Sequence, residues 1–551
     1  MKAIIINNGD SVAVALQNLK ANERINLAGQ EIVLCDDITR GHKFAIKNIA
    51  SGESVIKYGY AIGRAKCDIK VGQHVHSHNV KTDLQGAGCY AYHKLPEASL
   101  KSVDAYFDGY VRANGDVGIR NEIWIIPTVF CVNNVARVLE KYANKAIASG
   151  KFGNVDGCLA LTHPYGCSQM GEDQSTTQKV LAALASHPNC GGVLILGLGC
   201  ENNNIGVFKQ FLNLDDERLI FVNCQDENDE VEVGYEAIDT LLAKANACTR
   251  QKTSISKLRI GLKCGGSDGL SGITANPLIG RLSDLVVGSQ GTSVMTEVPE
   301  MFGAEQLLMN RAKDEVTFDK CVALINDFKH YFTSHGQVVS ENPSPGNKAG
   351  GITTLEDKSL GCVQKGGSAT VSDVLKYGDV LKSTGLNLLQ GPGNDGVSCT
   401  ALAAAHCHMV LFSTGRGTPF ATAIPTIKIS TNSELFNKKG AWIDFNAGQI
   451  VEGKDFDSLS MELLDYVLQV ASGKLTKSEE KGYHEIIIWK DGVNSLFSTK
   501  NIKPTLITKR SAMGLSYSAF LGAFMAKPLG LPNGKPDNIG QLGILGCHSK
   551  P

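Results

Sequence analysis

The sequence lacks a long hydrophobic run, a large net charge and a secretion signal. No stretch of its 551 residues approaches the ~18 consecutive apolar residues that suggest a membrane span. The formal net charge is -1, so neither a nucleic acid nor a membrane surface is implied as a partner. The N-terminus, MKAIIINNGD, has too short an apolar stretch for a signal peptide. We therefore expect a cytoplasmic protein.

Two nucleotide-binding fingerprints are incomplete. The glycine-rich loop around Lys348, NPSPGNKAGG, resembles an anion-binding loop but lacks the GK[ST] ending of a nucleoside triphosphate site. The stretch GLGCEN, which ends an apolar run, lacks the third glycine of a dinucleotide fingerprint. A nucleoside triphosphate is therefore not expected. A nicotinamide-dependent oxidoreductase is a weakly supported alternative, which a test for NAD binding would settle.

Cysteine and glycine, in contrast, are abundant. The chain has 16 cysteines, and without a secretion signal these indicate a reducing compartment in which thiols stay free. Most of them are expected to pack as small buried hydrophobic residues, and a few could be ligands. The 59 glycines suit functional sites that are built from loops.

The order of apolar segments predicts several domains. Residues 1–93 read as short strands between Gly, Asn and Asp turns, which predicts a small all-β domain, and 94–107 read as a linker. Further along, apolar runs such as EIWIIPTVF and GGVLILGLG alternate with helical segments. This alternation predicts two Rossmann-like α/β parts with mainly parallel sheets, at 108–255 and 256–497. The fold class is therefore multidomain α/β, and 498–551 form an atypical C-terminal tail.

Three predicted strands each end on a cysteine beside glycine: Cys167, Cys200 and Cys264. Ligands of open α/β sheets bind beyond the carboxyl ends of the strands. Three thiolates that converge there would form a soft site for iron, either as one ion or as three corners of a [4Fe–4S] cluster. The cysteines do not have a sequential CxxC spacing, so the prediction depends on the fold bringing them together. The alternative is that each thiol simply packs in the core.

The stretch HVHSHN supplies a competing metal site. In a strand, alternate residues share one face, so His74, His76 and His78 would project together. Imidazole is the commonest metal ligand, and a substrate contact is equally compatible with this pattern. The alternative is a solvated polar strand edge. A histidine site would keep its metal when the cysteines are replaced.

Many stretches of the chain resemble the altronate/galactarate dehydratase family. In the α/β parts they include HPYGCSQMGEDQ, GLGCENN, CGGSDGLSGITANP, TEVPEMFGAEQLLM, NPSPGNKAGGITTLEDKSLGC, PGNDGVS, LFSTGRGTPF and IKISTNSEL. In the β domain, DDITRGHKFAI, IKYGYAIG and GQHVHSHN resemble the SAF (β-clip) module of that family. The resemblance covers 1–497, and the HVHSHN and TEVPEMFGAEQLLM stretches are more similar to its altronate branch.

The resemblance implies a hydro-lyase. The implied reaction converts D-altronate to 2-dehydro-3-deoxy-D-gluconate and water in hexuronate catabolism, and the implied cofactor is Fe²⁺ or a related divalent metal such as Mn²⁺. The implied partner is a small sugar acid. The resemblance leaves open whether the chain forms a homo-oligomer. The alternatives are a galactarate dehydratase, a sulfolactate-type lyase of the same family, or a sugar-acid-binding regulator.

Such a dehydration takes the proton from C2 and expels the C3 hydroxyl. In this reading, iron lies near the three cysteines, Arg416 and Lys348 hold the substrate carboxylate, and His163 acts as base or acid. His76 and His78 reach the sugar from the β domain, which acts as a lid. Four further candidates read hydroxyls, support the metal or merely cap loops: Asn202, Asp268, Asn276 and Glu297. Thr418 is a candidate for substrate binding.

Overall fold

The structure is a computed structural model that describes residues 1–492. The predicted tail at 498–551 lies outside the described residues. Among the helices of the part that is described, none is both long and apolar enough to cross a membrane.

Short antiparallel strands form the N-terminal domain. They are β1 (Ala3–Ile4), β2 (Val12–Ala15), β3 (Arg24–Leu27), β4 (Gln30–Val33), β5 (Lys43–Ala45), β6 (Ser54–Lys57), β7 (Tyr60–Ala65), β8 (His74–Val75) and β9 (Val80–Lys81). They assemble into sheets of order β1-β2-β5-β8 and β6-β7-β9 and a β3-β4 hairpin. In β3, buried and exposed residues alternate, as expected of a strand with one face on a core. The predicted small β domain is confirmed.

The second part alternates strands with helices. Its elements are β10 (Tyr106–Val111), β11 (Val117–Gly118), β12 (Glu122–Pro127), α1 (Asn133–Ala148), β13 (Gly157–Ala160), α2 (Gly171–Ala185), β14 (Cys190–Gly197), α3 (Ile205–Phe208), β15 (Leu219–Asn223), α4 (Glu230–Asn246) and β16 (Gln251–Ser254). The parallel sheet has the order β13-β12-β14-β15. A small antiparallel sheet, β11-β10-β16, joins the beginning of this part to its end.

The third part contains the larger sheet. Its elements are β17 (Arg259–Cys264), α5 (Ala275–Gly288), β18 (Thr292–Met295), α6 (Glu305–Met309), α7 (Glu315–Ser334), α8 (Pro345–Ala349), α9 (Leu355–Cys362), β19 (Val371–Leu375), β20 (Gly385–Leu389), α10 (Asp395–Ala404), β21 (Met409–Thr414), β22 (Thr426–Ser430), α11 (Ser433–Lys438), β23 (Phe445–Asn446) and α12 (Phe456–Ala471). All of its strand pairs are parallel, in the order β19-β20-β18-β17-β21-β22-β23.

Both faces of the larger sheet are covered. Along β21, Met409 and Leu411 contribute to one hydrophobic core, whereas Val410 and Phe412 contribute to a second core on the other face. A strand that is buried on both faces reads as a continuous apolar run, as the first four residues of β21 do. The predicted multidomain α/β fold with parallel sheets is confirmed.

Candidate active site

The carboxyl ends of β17 and β21 form the point at which the larger sheet reverses its winding direction. From β17 the sheet extends to β18 and β20 on one side and to β21 and β22 on the other. Ligands of open α/β sheets bind at such a point. One of the two strands ends at Cys264, and the other ends at Thr414, just before Arg416. The candidate site is built around these two strand ends.

The loop after Cys264 is rich in glycine because other backbone segments pack directly on it. A side chain at Gly269 would overlap the carbonyl group of Gly41 in the β domain. A side chain at Gly272 would overlap the hydroxyl group of Tyr58, which also belongs to the β domain. The loop therefore forms the surface on which the β domain rests.

Glu297 lies at the centre of a buried ion cluster. Its carboxylate accepts hydrogen bonds from Nζ of Lys263, from Nζ of Lys365 at 2.6 Å and from the backbone N–H of Cys264 at 3.0 Å. Its backbone is left-handed, with φ 69 and ψ 54, which is unfavourable for a residue with a side chain. Burial and the neighbouring Glu300 raise the pKa of Glu297 to about 7. The strained backbone thus holds this carboxylate between two ammonium groups.

A second buried ion pair adjoins two thiols. Lys358 Nζ lies 2.8 Å from Glu300 Oε1, and the Cys362 sulfur lies 3.2 Å from Glu300 Oε2. A hydrogen bond with Cys362 and the charge of Lys365 lower the pKa of Cys264 to about 5, although burial opposes this shift. Cys264 is therefore a buried thiolate at neutral pH, held among lysines.

Asp268 is fixed beside the end of β21. Its Oδ2 accepts a hydrogen bond from Thr431 Oγ1 at 2.9 Å, and its Oδ1 accepts from Ser271 Oγ and from the backbone N–H of Leu270, both at 3.1 Å. A side chain at Gly415 would overlap this carboxylate. Burial raises the pKa of Asp268. The carboxylate is therefore both oriented and more basic than an exposed aspartate.

A buried ion triad attaches the β domain to the third part. Asp357 accepts hydrogen bonds from Lys43 Nζ at 2.8 Å and from Lys57 Nζ at 2.9 Å. Only 0%, 0% and 2% of the side chains of Asp357, Lys43 and Lys57 are exposed. Although burial opposes the shift, the two ammonium groups hold the pKa of Asp357 well below its usual range. The carboxylate is therefore ionised and joins both domains.

His76 reaches the third part through backbone contacts. Its Nε2 lies 2.8 Å from the carbonyl oxygen of Lys348, and its Nδ1 accepts a hydrogen bond from the backbone N–H of Ser77 at 2.6 Å. Burial lowers the pKa of His76 to about 4, so the ring is neutral at pH 7. Both nitrogens are thus engaged, and neither is free to bind a metal in this conformation. His78, by contrast, is exposed.

The neighbouring histidines form a chain rather than a ligand set. His42 Nε2 lies 3.2 Å from the carbonyl oxygen of Ala349, and His42 Nδ1 lies 3.0 Å from His74 Nε2. If His42 donates from Nε2 to the carbonyl group, its Nδ1 accepts the proton of His74. This arrangement fastens the β domain to the end of α8.

A small cavity lies where the β domain meets the glycine-rich loop. It has room for about one water molecule in this conformation. Its lining combines both domains: Lys57, Tyr58, Ser267, Asp268, Ser271, Gly272, Asn276, Ile352, Asp357, Lys358, Gly361 and Cys362. It is flanked by ammonium, carboxyl, thiol and hydroxyl groups, which can bind a polyhydroxylated acid and move its protons.

Three of the predicted site residues lie near the surface around this region. Arg416 is exposed and donates a hydrogen bond to the carbonyl oxygen of Gly346 at 3.2 Å. Lys348 is exposed, and Thr418 is half-buried and accepts a hydrogen bond from the backbone N–H of Phe420. By contrast, Asn276 is buried, and its Nδ2 lies 3.0 Å from the carbonyl oxygen of Gly361.

Comparison with known proteins gives matches along most of the chain. The family described as "Altronate/galactarate dehydratase SAF domain" matches 1–83, and "D-galactarate dehydratase/Altronate hydrolase, second domain" matches 109–246. The family described as "D-galactarate/Altronate dehydratase, C-terminal" matches 255–494. The altronate dehydratase of Escherichia coli is 51% identical over 90% of this chain and 100% of its own length. The chain belongs to the altronate/galactarate dehydratase family.

Other relatives agree with this membership. The altronate dehydratase of Bacillus subtilis is 49% identical over 90% of this chain and 100% of its own length. The galactarate dehydratase (L-threo-forming) of Escherichia coli is 33% identical over 87% of this chain and 95% of its own length. The three matched segments of this family member correspond to its β domain and its two α/β parts.

The structure of this dehydratase-family chain places the remaining predicted residues at a different sheet edge. His163, Cys167, Cys200 and Asn202 follow strands of the second part, and both of these thiols are exposed. His163 is buried, with Nε2 2.7 Å from the carbonyl oxygen of Pro127 and Nδ1 3.1 Å from the backbone nitrogen of Tyr165. Both of its nitrogens are therefore engaged by the backbone, which leaves neither free to act as the predicted base or acid in this conformation.

The structure divides the three cysteines of the predicted metal site between two sheets: the loops of Cys167 and Cys200 are hydrogen-bonded to each other, and Cys264 ends a strand of the other sheet. Cys264 is buried in the third part, whereas Cys167 and Cys200 are exposed on loops of the second part. Within residues 1–492, no three His, Cys, Asp or Glu side chains are grouped so that they could hold a metal ion. The carboxyl ends of the two sheets are separate edges, so the strand-end rule gathers cysteines only within one sheet. These residues do not fit the expected iron centre in this conformation.

Most of the ionisable residues around the small cavity were not predicted individually from the sequence. A signal was present for one of them, because Lys263 interrupts the apolar run KLRIGLKCGG, and a charge inside a buried strand needs a partner. The others end strand β6, form its turn or lie in short helices, and apart from Lys365 they belong to stretches that resemble the family: Lys57, Tyr58, Glu300, Asp357, Lys358, Cys362 and Lys365.

Proposed function

We propose that the chain is a hydro-lyase that removes water from altronate to give a 2-keto-3-deoxy sugar acid. The observation that carries this proposal is the 51% identity over the full length of an altronate dehydratase. The identity to a galactarate dehydratase is 33%, which favours altronate over galactarate. The site at the sheet's switch point supports the same reaction class.

The reaction creates negative charge that the cavity is suited to stabilise. Removal of the C2 proton spreads charge onto the substrate carboxylate, and ammonium groups aimed at that position lower the barrier. Lys358 lines the cavity. Although burial opposes the shift, the carboxylate of Glu300 raises the pKa of Lys358, so the Lys358 amine is protonated at neutral pH. We assign Lys358 to the substrate carboxylate, and the exposed Arg416 to the attraction of the anion toward the site.

Asp268 is the group that we assign to C2 deprotonation. It lines the cavity, three hydrogen bonds orient its two oxygens, and burial raises its pKa. A carboxylate with a raised pKa is a stronger base than an exposed aspartate. Correct placement and basicity are the two requirements of a general base.

The β domain acts as the cover of the site in this proposal. A sugar acid is far larger than a cavity with room for about one water molecule. The substrate therefore enters when the β domain and the glycine-rich loop separate, and closure excludes bulk water. The contacts of His42 and His76 with backbone carbonyl groups belong to the closed state.

We also propose that turnover requires ferrous iron or manganese, and this requirement can be measured. Cys264 ends a strand of a different sheet from the strands that Cys167 and Cys200 follow, so the steps above are derived from the chain's own side chains alone. A keto-acid assay after chelation, and after anaerobic addition of Fe²⁺ or Mn²⁺, checks the requirement. Metal analysis of the purified chain checks occupancy, including that of a [4Fe–4S] cluster.

The substrate assignment is tested with altronate, galactarate and sulfolactate in parallel. We expect keto-acid formation from altronate at the highest kcat/KM. Product from another of these acids, and none from altronate with either metal, would refute the assignment. Asp268→Asn should lower kcat by roughly 10²–10⁴-fold. Asp444→Asn is the matched control, because burial also raises the pKa of Asp444, which does not line the cavity.

A further inference from the structure

The β6-β7 hairpin of the β domain has an unusual residue in its turn. Tyr58 and Gly59 both have positive φ angles, 61° and 80° respectively. Two such angles are characteristic of a type I′ turn, in which Asn-Gly or Asp-Gly is preferred. A bulky aromatic residue is an outlier in the left-handed region, and its retention there costs conformational energy. The turn would fold more readily with asparagine in place of Tyr58.

The side chain of Tyr58 inserts into the third part of the chain. Its hydroxyl group lies against two glycines, since a Cβ atom at Gly272 would overlap the phenolic oxygen and one at Gly361 would lie 3.5 Å from it. Tyr58 also lines the cavity together with Asp268 and Lys358. Two positions without side chains thus admit the phenol to the place where we locate the substrate.

The residue before Tyr58 supplies a buried positive charge. Lys57 Nζ lies 4.5 Å from the centroid of the Tyr58 ring, and it is 2.9 Å from Oδ1 of Asp357. Lys57 also lines the cavity. Burial raises the pKa of Tyr58, which keeps its hydroxyl group protonated at neutral pH. The ammonium group next to it favours the phenolate that forms when the proton is given away.

We propose that Tyr58 is the general acid that protonates the departing C3 hydroxyl group of the substrate. This inference rests on the proposed function. The C3–O bond breaks, its electron pair leaves with the oxygen, and the Tyr58 proton completes a water molecule. The electron pair of the C2–H bond forms the C2–C3 double bond, and Asp268 receives the C2 proton. The enol then becomes the 2-keto acid, and proton return from Asp268 to Tyr58 restores the site.

The proposal explains why a small β domain is attached to an α/β lyase. The cover not only excludes water but also delivers the acid, so the cavity is complete only when the β domain has docked. Hydroxide is a poor leaving group, and general acid catalysis of such a step contributes roughly 10²–10⁴-fold. An open site would therefore bind the sugar acid without expelling its hydroxyl group.

The test compares Tyr58→Phe with the wild type on two substrates. With altronate, we expect kcat to fall by roughly 10²–10⁴-fold with little change in KM. With 3-deoxy-3-fluoro-altronate, fluoride leaves without first being protonated, so the loss in fluoride release should be at least about tenfold smaller. Equal losses on both substrates would indicate a purely structural role and overturn the proposal. Tyr60→Phe is the matched control on the same hairpin, because 50% of Tyr60 is exposed.

A second variant separates function from folding. Tyr58→Asn relieves the left-handed turn, so the chain should keep its folded circular dichroism spectrum, and it should lose altronate turnover. Retained turnover would overturn the proposal. If the wild type itself gives no keto acid from altronate, the proposed function fails. If the wild type is active and Tyr58→Phe equals it, only the role of Tyr58 fails.

Discussion

Replacement of Asp357 by asparagine tests how the β domain is held. The carboxylate of Asp357 is shared by Lys43 and Lys57, at 2.8 and 2.9 Å, and all three side chains are buried. Asparagine has nearly the same shape but no charge. The variant therefore leaves two ammonium groups close together without a counter-ion.

The size of the effect follows from this burial. Removal of one partner from a buried ion pair costs about 3–5 kcal/mol, because the remaining charge stays out of water without compensation. We expect Asp357→Asn to lower the free energy of the unfolding or undocking transition of the β domain by this amount. Since Lys57 and Tyr58 line the cavity, altronate turnover should fall as well.

The pH dependence has a defined sign. Asp357 has a folded-state pKa well below its usual range, so its ionised form binds its partners only in the folded chain. This contribution to stability is fully present above the unfolded-state pKa of about 4 and is lost as the pH falls toward the lower folded-state value. Asp357→Asn should remove this part of the acid sensitivity.

Urea denaturation, followed by circular dichroism at several pH values, measures both effects. The control is Asp37→Asn, because Asp37 pairs with Lys20 at 2.8 Å in the same domain, but the pair is exposed. We expect little change in the control. If Asp357→Asn were no less stable than Asp37→Asn, the triad would not hold the domains together, and the reasoning above would be refuted.

Cys264→Ser should lower kcat at least about tenfold, because it removes a buried anion from among lysines, whereas Cys167→Ser, at an exposed thiol, should stay near wild type in kcat and in bound iron. His76→Ala should raise KM for altronate, whereas His78→Ala should leave KM unchanged. Because the folded-state pKa of His76 is about 4, the stabilisation from the contact of its neutral ring should be fully present above about pH 6.5 and should weaken as the pH falls toward 4. Glu297→Gln should destabilise the chain by about 3–5 kcal/mol in urea, because it removes a buried carboxylate from between two lysines; stability equal to wild type would contradict the described cluster.

Parts of the fold could be predicted because their pattern is local. The strand CGGVLILG at Cys190–Gly197 is buried along its whole length, and such a run is recognisable without knowledge of its neighbours. The helix α7 at Glu315–Ser334 also has a local pattern. Its buried Phe318, Cys321, Leu324, Ile325 and Phe328 follow helical spacing.

The candidate site was predictable only in part. The strand-end rule selected Cys264, Asp268 and Arg416, and the structure places all three at one switch point, because each ends or follows a strand of the larger sheet. The same rule also selected Cys167 and Cys200, which follow strands of the other sheet. The rule states which end of a strand faces a ligand, but it does not state which sheet the strand joins.

By itself, the sequence determined the class of each segment, the family and the loops that follow buried strands, because periodicity, turn residues and motif order are properties of neighbouring residues. Only the tertiary structure decided that Lys57 and Tyr58 of the β domain meet Asp268 and Lys358 some 200 to 300 positions away. Contacts of this kind depend on how the domains dock. That docking rests on a buried charge and on closely packed glycines, whose partners no local pattern identifies.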